Sequence, residues 1–130
     1  MSSKIVGLNQ LFKQNLSKYR DKTALVYEKK KLTYAELKRA ANKVAHAFIQ
    51  SKVEPNTRVA LLIENSVEYV ICDIGIIFAG ATKVPLNYML GENEIEYILN
   101  DSSAEVLIVG EEFFEKVQHI ASKLQHTRLI

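Results

Sequence analysis

Gly75-Ile76-Ile77-Phe78-Ala79-Gly80-Ala81-Thr82 is the nearest thing in this chain to a phosphate-binding loop. Its glycines have Walker A spacing, and a threonine closes the segment. Such a loop needs a lysine just before that threonine to reach the phosphates, and Ala81 stands there instead. The loop must also follow a strand and open a helix, whereas this segment closes an apolar run at helical spacing. Four apolar residues between the glycines suit packing better than exposed amides. The segment is therefore expected to hold no phosphate.

The other chemistry-bearing residues are isolated. His46, His119 and His126 are the three histidines, and none has zinc-ligand spacing. His119 and His126 would share a helix face only if one helix ran through both, and a third ligand is missing. Cys72 would be a nucleophile only beside a base in an electropositive setting. In an apolar helix it reads as a small buried hydrophobe. Glu92, Glu94 and Glu96 stand at a helix start, where carboxylates meet the positive end of the helix dipole. The run Glu28-Lys29-Lys30-Lys31 could be a phosphate or lipid patch, but three like charges on a tight turn read better as solvated loop. No Ser/His/Asp arrangement, phosphate loop or metal cluster emerges. The expected number of catalytic, cofactor-binding and metal-ligating residues is zero.

The elements that would position a site alternate between two periods. Leu8, Leu11, Phe12 and Leu16 predict a first amphipathic helix ending near Tyr19. Ala24–Tyr27 reads as a strand, Glu28–Lys31 as a hairpin turn, and the chain returns through Leu32 and Thr33. Thr33 and Glu36 form a capping box for a helix with Leu37, Ala41, Val44, Ala45 and Phe48 on one face. Pro55-Asn56 turns the chain into Val59–Ile63, a continuous apolar run expected of a strand covered on both faces. Asn65 or Ser66 caps the next helix, apolar nearly all the way round from Val67 to Ala79, with Gly80 as its stop. A strand at Thr82–Leu86, a helix carrying Ile95, Ile98 and Leu99, and a strand at Glu105–Val109 follow. The last helix is read through Phe113, Val117, Ile120, Ala121 and Leu124, and Thr127–Ile130 looks like a strand just beginning. This rhythm predicts an α/β fold with a mainly parallel sheet flanked by helices.

Composition narrows the function classes. The 130 residues carry 17 Lys and Arg against 15 Asp and Glu, a formal net charge of +2. That balance gives no nucleic-acid or anionic-membrane footprint. The most hydrophobic stretch falls short of the roughly 20 residues a membrane span needs. A single cysteine allows no internal disulfide and fits a reducing cytoplasm.

Several stretches, in order, resemble one superfamily. Tyr19–Leu25 is similar to "YPDKxAL", Leu32–Leu37 to "LTYxEL", and Arg58–Asn65 to "RVALLxxN". Ala79–Asn87 resembles "xAGAxxVPLN", and Glu94–Ile108 resembles "EEIxYILNDSGAKVLI". The chain thus resembles the N-terminal part of the adenylate-forming enzymes: acyl-CoA synthetases, firefly luciferase and peptide-synthetase adenylation domains. The resemblance implies a reaction of a carboxylate with ATP to acyl-adenylate and pyrophosphate, then transfer to coenzyme A, with Mg²⁺ neutralising phosphate charge. It also implies that the "TSGTTGxPKG" loop, the adenine and ribose contacts and the C-terminal lysine lie downstream of Ile130. "VPLN" followed by Leu90 is more like acyl- and aryl-CoA synthetases of fatty-acid metabolism than the peptide-synthetase branch. Arg20, Met89, Gly91 and Ser103 depart from the pattern and loosen the fatty-acyl assignment.

Residues 1–130 are accordingly expected to be an N-terminal fragment of an AMP-binding domain without a C-terminal lid domain. By itself the fragment is expected to be inactive and to hold no cofactor, while ATP, Mg²⁺ and CoA serve the full-length relative. Its expected partner is the remainder of its own parent chain, with self-association through exposed apolar surface. Two alternatives stay open. One is an autonomous flavodoxin-like nucleotide-binding module, and the other is a truncated, non-catalytic interaction or dimerisation protein.

Overall fold

The structure is a computed structural model that describes residues 14–129. Of the first expected helix, residues 14–18 are described as helical, while Leu8, Leu11 and Phe12 lie outside the described residues. A two-stranded antiparallel hairpin follows, β1 (Thr23–Tyr27) against β2 (Lys30–Thr33). Glu28 takes the left-handed φ of 55° that lets this turn close.

Helix α1 (Tyr34–Gln50) begins at the expected capping box. The Glu36 amide donates to Thr33 Oγ1 at 3.2 Å, and the Thr33 amide donates to Glu36 Oε1 at 3.0 Å. Then come β3 (Arg58–Leu62), α2 (Val67–Phe78), β4 (Thr82–Pro85), α3 (Glu92–Ser102), β5 (Val106–Val109), α4 (Phe114–Ile120) and β6 (Arg128–Leu129). The four later strands form one parallel sheet in the order β4-β3-β5-β6. The α/β fold with a mainly parallel sheet and a hairpin is therefore as the sequence implies.

The continuous apolar run of β3 is explained by two cores. Ala60 and Leu62 join Leu107, Ile95 and Leu99 of α3, and Val117 and Ile120 of α4. Val59 and Leu61 face the other way, with Val106, Ile108, Phe48 of α1 and Ile76 of α2. Alternate residues of one strand thus serve opposite layers, so Val59 to Leu62 are all apolar and only Arg58, at the exposed start, is charged. A third cluster of Leu16, Leu37, Ala41, Ala45, Ile74 and Phe78 joins α1 to α2 and the 14–18 segment.

Two glycines set the path of α2. A Cβ on Gly75 would stand 2.6 Å from Val44 Cγ1, so its absence lets α1 and α2 approach closely. Gly80 has φ +73° and ends the helix, as its position predicts. The last helix is shorter than its apolar spacing suggests. It stops at Ile120 and tightens into a 3₁₀ turn over Ala121–Lys123. The Asn100 side chain clamps that end: its Nδ2 donates to the Lys123 carbonyl at 3.1 Å, and its Oδ1 accepts from the Gln125 amide at 2.9 Å. Among the described residues, no helix is long and apolar enough to cross a membrane.

Candidate functional site

In open α/β sheets, ligands gather beyond the carboxyl ends of the strands. At that end β3 runs out through Ile63 and Asn65, and β4 through Leu86, Asn87, Tyr88 and Met89. Together with Tyr69 of α2 and Pro85 they line an open cleft of about 540 Å³. Strand order reverses between β3 and β5, whereas the cleft lies on the β3–β4 side. At the reversal itself the Gly110 amide donates to the Leu62 carbonyl at 2.9 Å.

Local chemistry shapes the cleft walls. Ser66 caps α2 by accepting from the Tyr69 amide at 3.2 Å, which fixes the first turn and with it Tyr69. Asn87 Oδ1 accepts from the Met89 amide at 2.9 Å, turning the chain sharply after β4. This turn leaves Met89 77% exposed at the rim.

Behind Tyr69 lies a polar cluster that the sequence pattern does not announce. Lys83 Nζ donates to the Tyr69 hydroxyl at 3.1 Å and pairs with Asp73 Oδ1 at 3.1 Å. Its ammonium also stands 5.1 Å from the Tyr69 ring centroid. Burial works against the charge on Lys83, but Tyr69 and Asp73 outweigh it and hold the lysine above its ordinary value. The available signal was Tyr69 and Asp73 at i and i+4 on α2, with Lys83 the lone charge in β4.

The cleft offers amides, phenols and apolar surface. These can orient a ligand by hydrogen bonding and stacking. Asn65, Asn87, Tyr69 and Tyr88 contain no general base suited to neutral pH, and the lining holds neither a carboxylate nor a cation.

The candidate residues of the sequence are scattered. Gly75 and Gly80 bound the end of a helix and a turn into β4, which leaves no phosphate loop between them. His119 Nδ1 lies 2.7 Å from Glu92 Oε1, tying α4 to the start of α3. His126 lies beyond the end of α4, so the two histidines share no helix face. His46 is exposed on α1. No group of three His, Cys, Asp or Glu is placed to hold a metal ion among the described residues. Glu92 and Glu94 occupy the first turn of α3, where the dipole favours them. Glu96 Oε1 is buried in the protein with no hydrogen-bond partner.

Cys72 is half-buried rather than fully buried, at a small apolar notch with Val44, Phe48 and Ile108. Burial pushes its thiol up, and Glu68 and Asp73 push the same way, which disfavours the reactive thiolate. Lys29, Lys30 and Lys31 are exposed on the hairpin, and Lys30 approaches Glu68 at 3.6 Å.

Residues 12–130 match the model of the AMP-binding enzyme family. The chain belongs to the AMP-binding enzyme family. Bacitracin synthase 2 of Bacillus licheniformis is 36% identical over 110 residues, which cover 85% of this chain and 4% of that protein. Tyrocidine synthase 1 of Brevibacillus parabrevis is 30% identical over 114 residues, covering 88% of this chain and 10% of that protein. Among solved structures, the anthranilate CoA ligase AuaEII in complex with anthranoyl-AMP is similar at TM-score 0.87 and 32% identity. That likeness covers 99% of this chain and 26% of the ligase. The chain spans a small part of the length of each relative. Within the AMP-binding family fold, the Leu32–Leu37 stretch is the capping box of α1, and Ala79–Asn87 is the turn from α2 through β4 to the cleft.

Proposed function

We propose that this chain is the N-terminal portion of an ATP-dependent adenylate-forming ligase. In this reading the whole enzyme joins a carboxylate to AMP with release of pyrophosphate, then passes the acyl group to coenzyme A. The observation that carries it is the family match over residues 12–130, supported by the likeness to a CoA ligase along 99% of the chain. The role of this portion is architectural. It supplies a four-stranded parallel sheet and one wall of a cleft, Asn65, Tyr69, Asn87 and Tyr88, against which the rest of the enzyme closes. With no carboxylate for Mg²⁺ and no cation for a triphosphate in that wall, neither group fits it and no step runs through this cleft.

Val84-Pro85-Leu86-Asn87 favours the acyl- or aryl-CoA branch. The 36% identity to bacitracin synthase 2 favours a second reading, the adenylation domain of a peptide synthase. The two differ in the acceptor of the activated acid. The protein containing this chain, given ATP, Mg²⁺, CoA and a panel of fatty, aryl and amino acids, should form an acyl-CoA thioester. Activation of an amino acid with no CoA thioester would overturn the CoA branch and leave the adenylating reading intact.

The remainder of the enzyme is the partner this reading requires, and the cytoplasm, with its reduced thiols, is the compartment it fits. Tyr97 and Phe114, exposed on the outer side of α3 and α4, support contact with further protein. Light scattering of the 130-residue chain should show self-association, and a monodisperse monomer at high concentration would refute that part.

A further inference from the structure

We propose that the groove between the 14–18 helical segment and α1 binds a phosphate-class dianion. The groove encloses about 310 Å³ and shares no lining residue with the cleft at the strand ends. Leu16, only 3% exposed, forms part of its floor. Arg20, Lys38 and Arg39 bring three cations to its walls, beside the neutral donors Ser17 and Asn42. No carboxylate lines it.

Hydrogen bonds hold the Arg20 backbone and the Lys38 ammonium at the groove, while Arg39 is exposed on its rim. The Arg20 carbonyl accepts from the Ala35 amide at 2.9 Å, and the Lys22 carbonyl accepts from the Tyr34 amide at 2.9 Å, fastening the 20–22 loop to the start of α1. Helical spacing sets Lys38 and Asn42 on one face with Arg39 beside them. Lys38 Nζ donates to Ser17 Oγ at 2.7 Å, which keeps the ammonium across the groove. Two acids stand beside the groove without lining it: Asp21, its side chain 94% exposed, pairs with Arg20 Nε at 3.8 Å, and Glu36, held in the capping box, also attracts Arg39.

The whole chain has a formal net charge of +2, so three cations in one concavity are a local concentration of charge. Two guanidinium forks and an ammonium match a tetrahedral dianion that accepts several charge-assisted hydrogen bonds. The shared chemistry is a phosphate dianion, either free in solution or as a lipid headgroup.

The test is a titration of the isotope-labelled protein containing this chain with inorganic phosphate at mildly alkaline pH, followed by amide resonances. Saturable shifts are expected at Ser17, Arg20, Lys38 and Arg39, weakening as salt rises. The Lys38→Gln, Arg39→Gln double variant should bind about tenfold or more weakly, while Lys38→Arg should retain binding. Lys43→Gln, on the same helix but outside the groove, should change nothing. Circular dichroism on each variant confirms that it is folded. No saturable shift, an unaffected double variant, or an equal loss in Lys43→Gln would overturn the proposal. Flotation with vesicles containing phosphatidic acid separates the sources. Capture competed away by free inorganic phosphate supports a headgroup, and free binding without capture supports a soluble anion.

Discussion

Lys83 shows what single residues contribute here. Its ammonium joins Asp73 and the Tyr69 hydroxyl across the α2–β4 contact, both partners at 3.1 Å. A Lys83→Met substitution keeps the stem and removes the charge, leaving Asp73 unpaired and Tyr69 unanchored. The expected cost is about 1 kcal/mol, read as a lower denaturant midpoint. The pH dependence has a definite sign. A lysine raised in the folded state stabilises it fully below its ordinary value of 10.5, and that benefit is lost as pH rises through the higher folded value. The wild-type lead over Lys83→Met should therefore persist at neutral pH and shrink only in strong alkali. Glu36 has the opposite sign, because its hydrogen bonds with Thr33, backbone first, lower its carboxyl below 4.5. Its contribution is present above 4.5 and fades as pH falls through the folded value. Thr33→Ala should cost about 1 kcal/mol of stability, measurable by thermal melting at neutral pH. The Thr33–Glu36 pair was legible because both partners lie within one helical turn. The Lys83 cluster was not, because its lysine and its helix partners meet only once β4 packs beside α2.

At the scale of elements, the α1–α2 crossing is the tightest contact around a glycine among the described residues. A Cβ at Gly75 would meet Val44 Cγ1 at 2.6 Å and the Ala41 carbonyl oxygen at 3.3 Å. Gly75→Ala gains about 1 kcal/mol of helix propensity, yet overpacking in a filled interface costs about 1–3 kcal/mol. Net destabilisation is expected, with part of it recovered when Val44→Ala is added. An additive double variant in chemical denaturation would show that the two side chains do not compete for the same space. The apolar spacing of α1, the two-faced burial of β3 and the glycine stop after α2 could all be read from periodicity and turn residues. The early end of α4 could not, since Ala121 and Leu124 continue the helical pattern. What stops the helix is a clamp from Asn100, more than 20 residues earlier in the chain.

At the scale of the molecule, four parallel strands and their helices form a body whose cleft is lined by side chains able to bind but not to move protons. Membership of the AMP-binding family was legible because its N-terminal motifs are structural: caps, stops and strand starts whose residue types follow from backbone geometry. The basic groove was invisible in the sequence because Arg20 and the Lys38–Arg39 pair come from different elements, and only their packing brings them together. In the proposed function this portion provides the frame of an adenylating enzyme without its chemistry. ATP–pyrophosphate exchange by the purified 130-residue chain, with Mg²⁺ and a panel of carboxylic acids, tests it most directly. The expected result is exchange no faster than the protein-free background for every acid. Robust, acid-dependent exchange would contradict the account and place a complete adenylating site within these residues.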